Sequence, residues 1–224
     1  MTRGVFVTGT DTGVGKTVAT VGLLRTYAAA GMRAVGMKPV AAGVEPGAAV
    51  NADVTALAAA GNVDVPLADR NPFAFAPAIA PHLAAERAGV AIDLERIAAA
   101  YGRLATRADV VVVEGAGGAL VPLGARFDML DIPARLRLPV VLVVGIRLGC
   151  LNHALLSALA IAARGLALSG WIASRIDPEM VAGDENVVTL VRRLPAPMLA
   201  DIGWGADPAS ALRERAIAAC GAWA

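Results

Sequence analysis

Nine residues near the N-terminus, Gly9-Thr10-Asp11-Thr12-Gly13-Val14-Gly15-Lys16-Thr17, have the types and spacing that bind phosphate. They follow an apolar run, Val5-Phe6-Val7-Thr8, and lead into a helical pattern, so the order is strand, glycine-containing loop, helix. Successive backbone N–H groups at such a turn, with the positive end of the helix dipole, cradle phosphate oxygens. Lys16 then reaches the terminal phosphates and the Thr17 hydroxyl ligates Mg2+. Measured against G-x4-G-K-[ST], Thr10 stands at the first glycine position and Gly9 lies one residue early. The competing reading is an ordinary glycine-rich strand-to-helix turn; the Gly-Lys-Thr ending at a helix start argues against it.

Of 20 basic residues only Lys16 and Lys38 are lysines. A chain that otherwise uses arginine keeps a compact ammonium on a flexible stem at these two places. Lys38 closes the second predicted strand, and ligands of open α/β sheets bind beyond the carboxyl ends of strands, so both lysines are expected at one crevice. A nucleotide-bound Mg2+ takes hard oxygen ligands, commonly one or two carboxylates beside phosphate oxygens. Glu114 directly follows Val110-Val111-Val112-Val113, at the carboxyl end of a buried strand, and Gly115-Ala116-Gly117-Gly118 behind it lets backbone approach a ligand. Asp53 opens a helical pattern, where spacing alone favours a capping role.

These residues need a scaffold that gathers strand ends. Apolar runs rich in β-branched residues alternate with longer helical patterns, the mark of βαβ units in a parallel sheet. Predicted strands are Val5–Thr8, Ala34–Lys38, Val110–Val113, Val140–Val144, Leu168–Ala173 and Met198–Ile202. Predicted helices are Lys16–Ala30, Ala52–Ala60, Leu94–Thr106, Asn152–Arg164, Glu185–Arg193 and Ala209–Ala219. Val63–Pro81 contains four prolines and no clear period, and reads as an ordered excursion over one end of the sheet.

With 224 residues the chain reads as one α/β domain, 1–224, able to bury roughly 70% of the surface its unfolded form exposes. A net charge of +1 and 4% aromatics supply neither the field nor the stacking platforms of a nucleic-acid binder. Mean hydropathy is high at +0.62. A spanning helix, however, needs about 20 consecutive apolar residues, and the best stretch, Leu148–Ala163, is interrupted by Asn152, His153 and Ser157. No membrane partner is expected. The early strand leaves no room for a signal-peptide core, so the expected compartment is the cytoplasm. Cys150 and Cys220 are too few for a disulfide framework or a thiolate zinc site.

Read together, the blocks Gly9–Thr17, Lys38-Pro39-Val40-Ala41, Asn51-x-Asp53, Pro81-His82, Val113–Gly118, Leu148-Gly149-Cys150-Leu151-Asn152-His153, Gly170-Trp171 and Pro197–Trp204 resemble the dethiobiotin synthetases over nearly the whole chain. That family's phosphate loop has the extended form seen here. The resemblance implies a phosphate-loop NTPase fold with a seven-stranded parallel sheet flanked by helices, and a homodimer with active sites at the interface. It implies ring closure of 7,8-diaminononanoate with CO2 and ATP through a carbamate and a carbamic-phosphoric anhydride, in biotin biosynthesis. By resemblance Thr17, Asp53 and Glu114 bind Mg2+, and Lys16 and Lys38 stabilise the carbamate and the transferring phosphate. Gly13, Val14, Gly15, Lys16, Thr17, Val18, Asp53, Glu114, Gly115, Ala116 and Gly117 would hold ATP, with Ser174, Arg175, Gly203, Trp204 and Gly205 around the base. Thr12, Lys38, Ala42 and Pro81 would contact the diamine. Leu148, Gly149, Cys150 and Asn152 of the neighbouring subunit would hold its distal carboxylate.

Two positions depart from the family pattern: Ala42 stands where a hydroxyl residue often contacts substrate, and Ser174 where an asparagine commonly meets adenine. Other readings are a corrinoid amide synthase relative, for whose amidase domain the chain has no space, and a partitioning-type ATPase switch. The switch's usual extra lysine is absent, with Thr10 and Thr12 in that region.

Overall fold

The four valines Val110–Val113 are fully buried, and their side chains alternate between two hydrophobic layers, because helices cover both faces of the strand that carries them. The computed structural model describes residues 3–44 and 47–212. In chain order its elements are β1 (Arg3–Gly9), α1 (Lys16–Ala29), β2 (Ala34–Met37), β3 (Val40–Ala42), α2 (Ala52–Ala60), α3 (Leu67–Arg70), β4 (Phe73–Phe75) and α4 (Pro81–Arg87). They continue with α5 (Leu94–Ala105), β5 (Val110–Gly118), α6 (Asp131–Leu136), β6 (Val140–Gly145), α7 (Cys150–Ala163), β7 (Leu168–Ser174), α8 (Gly183–Arg193) and β8 (Met198–Ile202).

The main sheet is parallel throughout, in the order β2-β5-β1-β6-β7-β8. The chain builds outward from β1 to β2, returns to β5 beside β1, then crosses to β6 on the other flank. The carboxyl ends of β1, β5 and β6 thereby meet around the loop after β1, where open α/β sheets bind ligands. One layer packs Leu23, Leu24 and Tyr27 of α1 and Leu57 of α2 against Val5, Val7 and Val112. The opposite layer packs Ile97 and Leu104 of α5 against Phe6, Val111 and Val113.

All six predicted strands are present, and five helices match within a few residues. The sixth predicted helix, Ala209–Ala219, lies mostly outside the described residues, as does Cys220. The main sheet holds six strands among the described residues, where resemblance implied seven. The Val63–Pro81 excursion contains α3 and β4, and β4 pairs with β3 in a separate two-stranded parallel sheet rather than joining the main one. Pro39 provides the physical reason. Having no N–H, it cannot continue the ladder that pairs β2 with β5 as far as Met37↔Val113. No helix among the described residues is long and apolar enough to cross a membrane.

Candidate active site

Between β1 and α1 the backbone must turn sharply, and two glycines allow it: Gly13 has φ +73° and Gly15 φ +85°, a region costly to residues with a side chain. Gly15 is doubly constrained, since a Cβ there would lie 2.3 Å from the Ser174 Oγ. Val14 between them is buried in the core, so it anchors the loop and only its backbone is available to a ligand. The Lys16 Nζ folds back and donates to the Asp11 carbonyl at 2.8 Å.

The loop end meets two carboxylates carried by distant elements. The Thr17 Oγ1 lies 2.9 Å from Asp53 Oδ1 and 2.9 Å from Glu114 Oε1, although one hydroxyl hydrogen serves only one acceptor at a time. The Lys38 ammonium donates to Asp53 Oδ2 at 2.8 Å and to Glu114 Oε1 at 2.6 Å. Glu114 is wholly buried, and its Oε2 finds no hydrogen-bond partner among the described residues. Three hard oxygen-bearing groups so converged, one with an orphaned buried oxygen, fit a divalent cation that keeps further positions for phosphate oxygens.

Asp53 reaches this cluster because it does not cap its helix. Asn51 occupies the cap of α2 and accepts from the Asp53 N–H at 3.0 Å, which leaves the Asp53 carboxylate free. The capping role favoured by spacing is thus corrected. Glu114 lies within β5, which runs on to Gly118, rather than just beyond its strand.

Electrostatics separate the two lysines. Burial, aided by the nearby Lys38 ammonium, lowers the Lys16 pKa to about 8 against the pull of Glu114, Asp53 and Asp11. Burial also works against charge on Lys38, but the Glu114 and Asp53 carboxylates outweigh it and raise its pKa. Asp53 is lowered: burial opposes its ionisation, and the contact with Lys38 overcomes that. Lys38 is therefore a fixed cation, whereas Lys16 is a cation whose charge is made costly by burial and by the Lys38 ammonium.

Two cavities meet at the loop. One, of about 690 Å3, is bounded by Thr12, Gly13, Gly15, Lys16, Thr17 and Val18 on one side. Lys38, Ala42, Asp53, Pro81, Ala116 and Gly117 close its other side. The second, of about 660 Å3, shares Gly13, Gly15, Thr17 and Val18 and adds Ser174, Arg175, Gly203, Trp204 and Gly205. Its remaining lining includes the apolar residues Val21, Ile176, Ile202 and Pro208. Arg175 forms part of this wall with its guanidinium already committed, to Asp201 at 2.8 and 2.7 Å and to Asp184 at 2.6 Å. Gly115 lines neither cavity; it backs onto Phe6 and Met129.

Leu148, Gly149, Cys150 and Asn152 lie at the turn from β6 into α7 and border neither cavity of their own chain. Leu148 is 91% exposed, whereas Cys150 is buried and its N–H is satisfied by the Arg147 carbonyl at 3.0 Å. Residues with no sequence signal assigned to them also serve the site. Arg70 and Asn71 are buried against the backbone of Gly36 and Lys38, and the only local hint was the turn-forming dipeptide Asn71-Pro72.

Comparison with known proteins fits this geometry. The AAA domain family model matches residues 3–209. An ATP-dependent dethiobiotin synthetase from Nitrosospira multiformis is 55% identical over 199 residues, covering 89% of this chain and 87% of that protein. One from Aromatoleum aromaticum is 52% identical over 211 residues, covering 92% and 94%. Among solved structures, the MinC:MinD cell division protein complex of Aquifex aeolicus matches with TM-score 0.63 at 15% identity, over 98% of this chain and 96% of that one. A ParA family ATPase from Chlorobium tepidum matches with TM-score 0.59 at 13% identity, over 97% and 99%. At such identities the structural likeness establishes a shared fold alone. Close sequence identity over almost the full length of both partners goes further: the chain belongs to the ATP-dependent dethiobiotin synthetase family of ligases.

Proposed function

We propose that this chain, acting as one catalytic unit over 1–224 in the cytoplasm, converts 7,8-diaminononanoate, CO2 and ATP into dethiobiotin, ADP and phosphate. The observation that carries the reading is the placement of both lysines of the chain beside a carboxylate–hydroxyl cluster, where two cavities meet at a phosphate-type loop. The slot lined by Ser174 and Trp204 would take the base. The cavity lined by Lys38, Ala42 and Pro81 would take the diamine.

One substrate amine adds to CO2 and releases a proton, giving a carbamate whose negative charge Lys38 and Lys16 offset. A carbamate oxygen attacks the γ-phosphorus and ADP departs, and Lys16 stabilises the charge that develops on the phosphoryl oxygens. The second amine attacks the carbonyl carbon of the mixed anhydride, and the ring closes as phosphate leaves and the attacking nitrogen releases a proton. Thr17, Asp53 and Glu114 would hold Mg2+, which when bound neutralises phosphate charge. The loop N–H groups orient the phosphates, and the high Lys38 pKa keeps its ammonium charged throughout the working pH range. Incubation with diamine, bicarbonate, ATP and Mg2+ tests the reading directly: mass spectrometry should detect dethiobiotin, and ATP turnover should depend on the diamine. Turnover independent of the diamine would sink it.

The neighbouring subunit would supply the distal-carboxylate loop, in keeping with the exposure of Leu148 and, on α7, of Leu156 and Leu159. A dimer burying at least ~1,200 Å2 is expected. Sedimentation at micromolar concentration checks it; a fully active monomer would overturn it.

Ser174 offers a base one short, rotatable hydroxyl rather than a planar amide. It is buried, and its Oγ is turned toward Gly15. A bidentate base contact is worth roughly 1–3 kcal/mol of discrimination, so its loss should bring CTP and GTP within about tenfold to a hundredfold of ATP in kcat/KM. Ser174→Asn should widen the gap. A thousandfold preference for ATP in the unmodified protein would exclude this role for Ser174.

A further inference from the structure

Lys38 sits at a point where the sheet can no longer hold it. Its predecessor Met37 is the last residue of β2 paired to β5, and its successor is Pro39, so neither polar group of the Lys38 peptide joins the ladder. Yet the residue is 4% exposed, and buried peptide groups must find partners.

They find them in the segment between α3 and β4. The Lys38 N–H donates to the Arg70 carbonyl at 2.8 Å. The Lys38 carbonyl accepts from the Asn71 side-chain amide at 2.7 Å, and the same amide donates its second hydrogen to the Phe73 carbonyl at 3.0 Å. Both partners are acceptors, which fixes the amide nitrogen on this side. Just before, Arg70 donates to the Gly36 carbonyl at 2.9 Å; just after, the Phe73 N–H donates to the Pro39 carbonyl at 3.1 Å. Asn71 is the only side chain among these that bonds the Lys38 peptide itself. A residue with two hydrogens on one atom is required to bridge the two carbonyls.

We propose that Asn71 is a positioning residue for Lys38, setting the origin from which the lysine stem carries its ammonium to the Asp53–Glu114 cluster. The inference rests on the proposed role of Lys38 at the reacting groups. Freed from Asn71, the Lys38 carbonyl would be buried without a partner, the peptide would rotate toward water, and a displacement of about 1 Å at the ammonium can cost on the order of a hundredfold in rate.

The test is a double-mutant cycle on the intact protein, read by steady-state dethiobiotin formation. Asn71→Ala should lower kcat by about tenfold to a hundredfold, the scale of residues that orient a site group, with KM for ATP changed less than about twofold. In a Lys38→Ala background the same substitution should cost less than about twofold, because there is no ammonium left to place. Asn71→Ser, which keeps one donor, should fall between, and it carries the cycle if the alanine protein does not fold. Equal losses in both backgrounds would assign Asn71 to general stability and overturn the inference alone. Near-native turnover of Lys38→Ala would instead overturn the proposed role of Lys38, and this inference with it.

Discussion

Lys16→Ala is expected to lose at least ~100-fold in kcat, the scale of removing one preorganised donor aimed at developing charge. Lys16 closes the loop at the start of α1, and its Nζ now rests on the Asp11 carbonyl, a weak partner that phosphate oxygens would displace. Its pKa of about 8 reflects burial and the nearby Lys38 ammonium, which outweigh the pull of Glu114, Asp53 and Asp11. Binding phosphate would relieve that cost, so the lysine contributes most when charge accumulates on the transferring group. Folding should survive, since the alanine removes a cation that burial already penalises. The checks are steady-state turnover together with a thermal melt; near-native dethiobiotin formation by folded Lys16→Ala protein would remove the central assignment.

Glu114→Gln should also lose at least ~100-fold in kcat. Substitutions one shell removed from a metal already cost 10–100-fold, and Glu114 is proposed as a direct ligand. Neutralising it also leaves the buried Lys38 ammonium with Asp53 alone. Breaking a buried pair costs about 3–5 kcal/mol when a charge is left uncompensated. The remaining Asp53 contact should keep the loss below that, and at roughly 2–4 °C per kcal/mol for a chain of this size the melting temperature should still fall measurably. Mn2+ binding followed by spin resonance in the presence of ATP should show weakened affinity independently of turnover. Unchanged metal affinity would exclude Glu114 as a ligand, whatever the rate.

Much of the scaffold is written in local pattern. Strands such as Val110–Val113 are legible because burial on both faces demands uninterrupted apolar, β-branched residues, and the phosphate loop is legible because left-handed backbone at residues 13 and 15 demands glycine. Lys16, Thr17 and Lys38 could be named from the sequence because each stands at the start of a helix or just past the end of a strand, and the ends of parallel strands converge; Glu114 could be named because it is the first charged residue after an uninterrupted apolar run, although its strand continues to Gly118. The short strands β3 and β4 were not legible, since three residues carry no period and their pairing depends on Pro39 ending another ladder.

Asp53 shows the limit most plainly. Its position at a helix start reads as a cap, and only the fold, by giving that task to Asn51, turns the carboxylate toward Thr17 and Lys38. Asn71 carried no signal beyond the turn-forming Asn71-Pro72 dipeptide, because its bond to the Lys38 carbonyl joins residues 33 positions apart. The sequence by itself determined the layered α/β architecture and the residues at its strand ends, because backbone periodicity and φ preference act within a few residues. Tertiary structure alone decided which polar atoms meet, such as Thr17 with Glu114 across 97 positions, because the hydrogen bonds that buried groups require are satisfied by whatever the folded chain brings within reach.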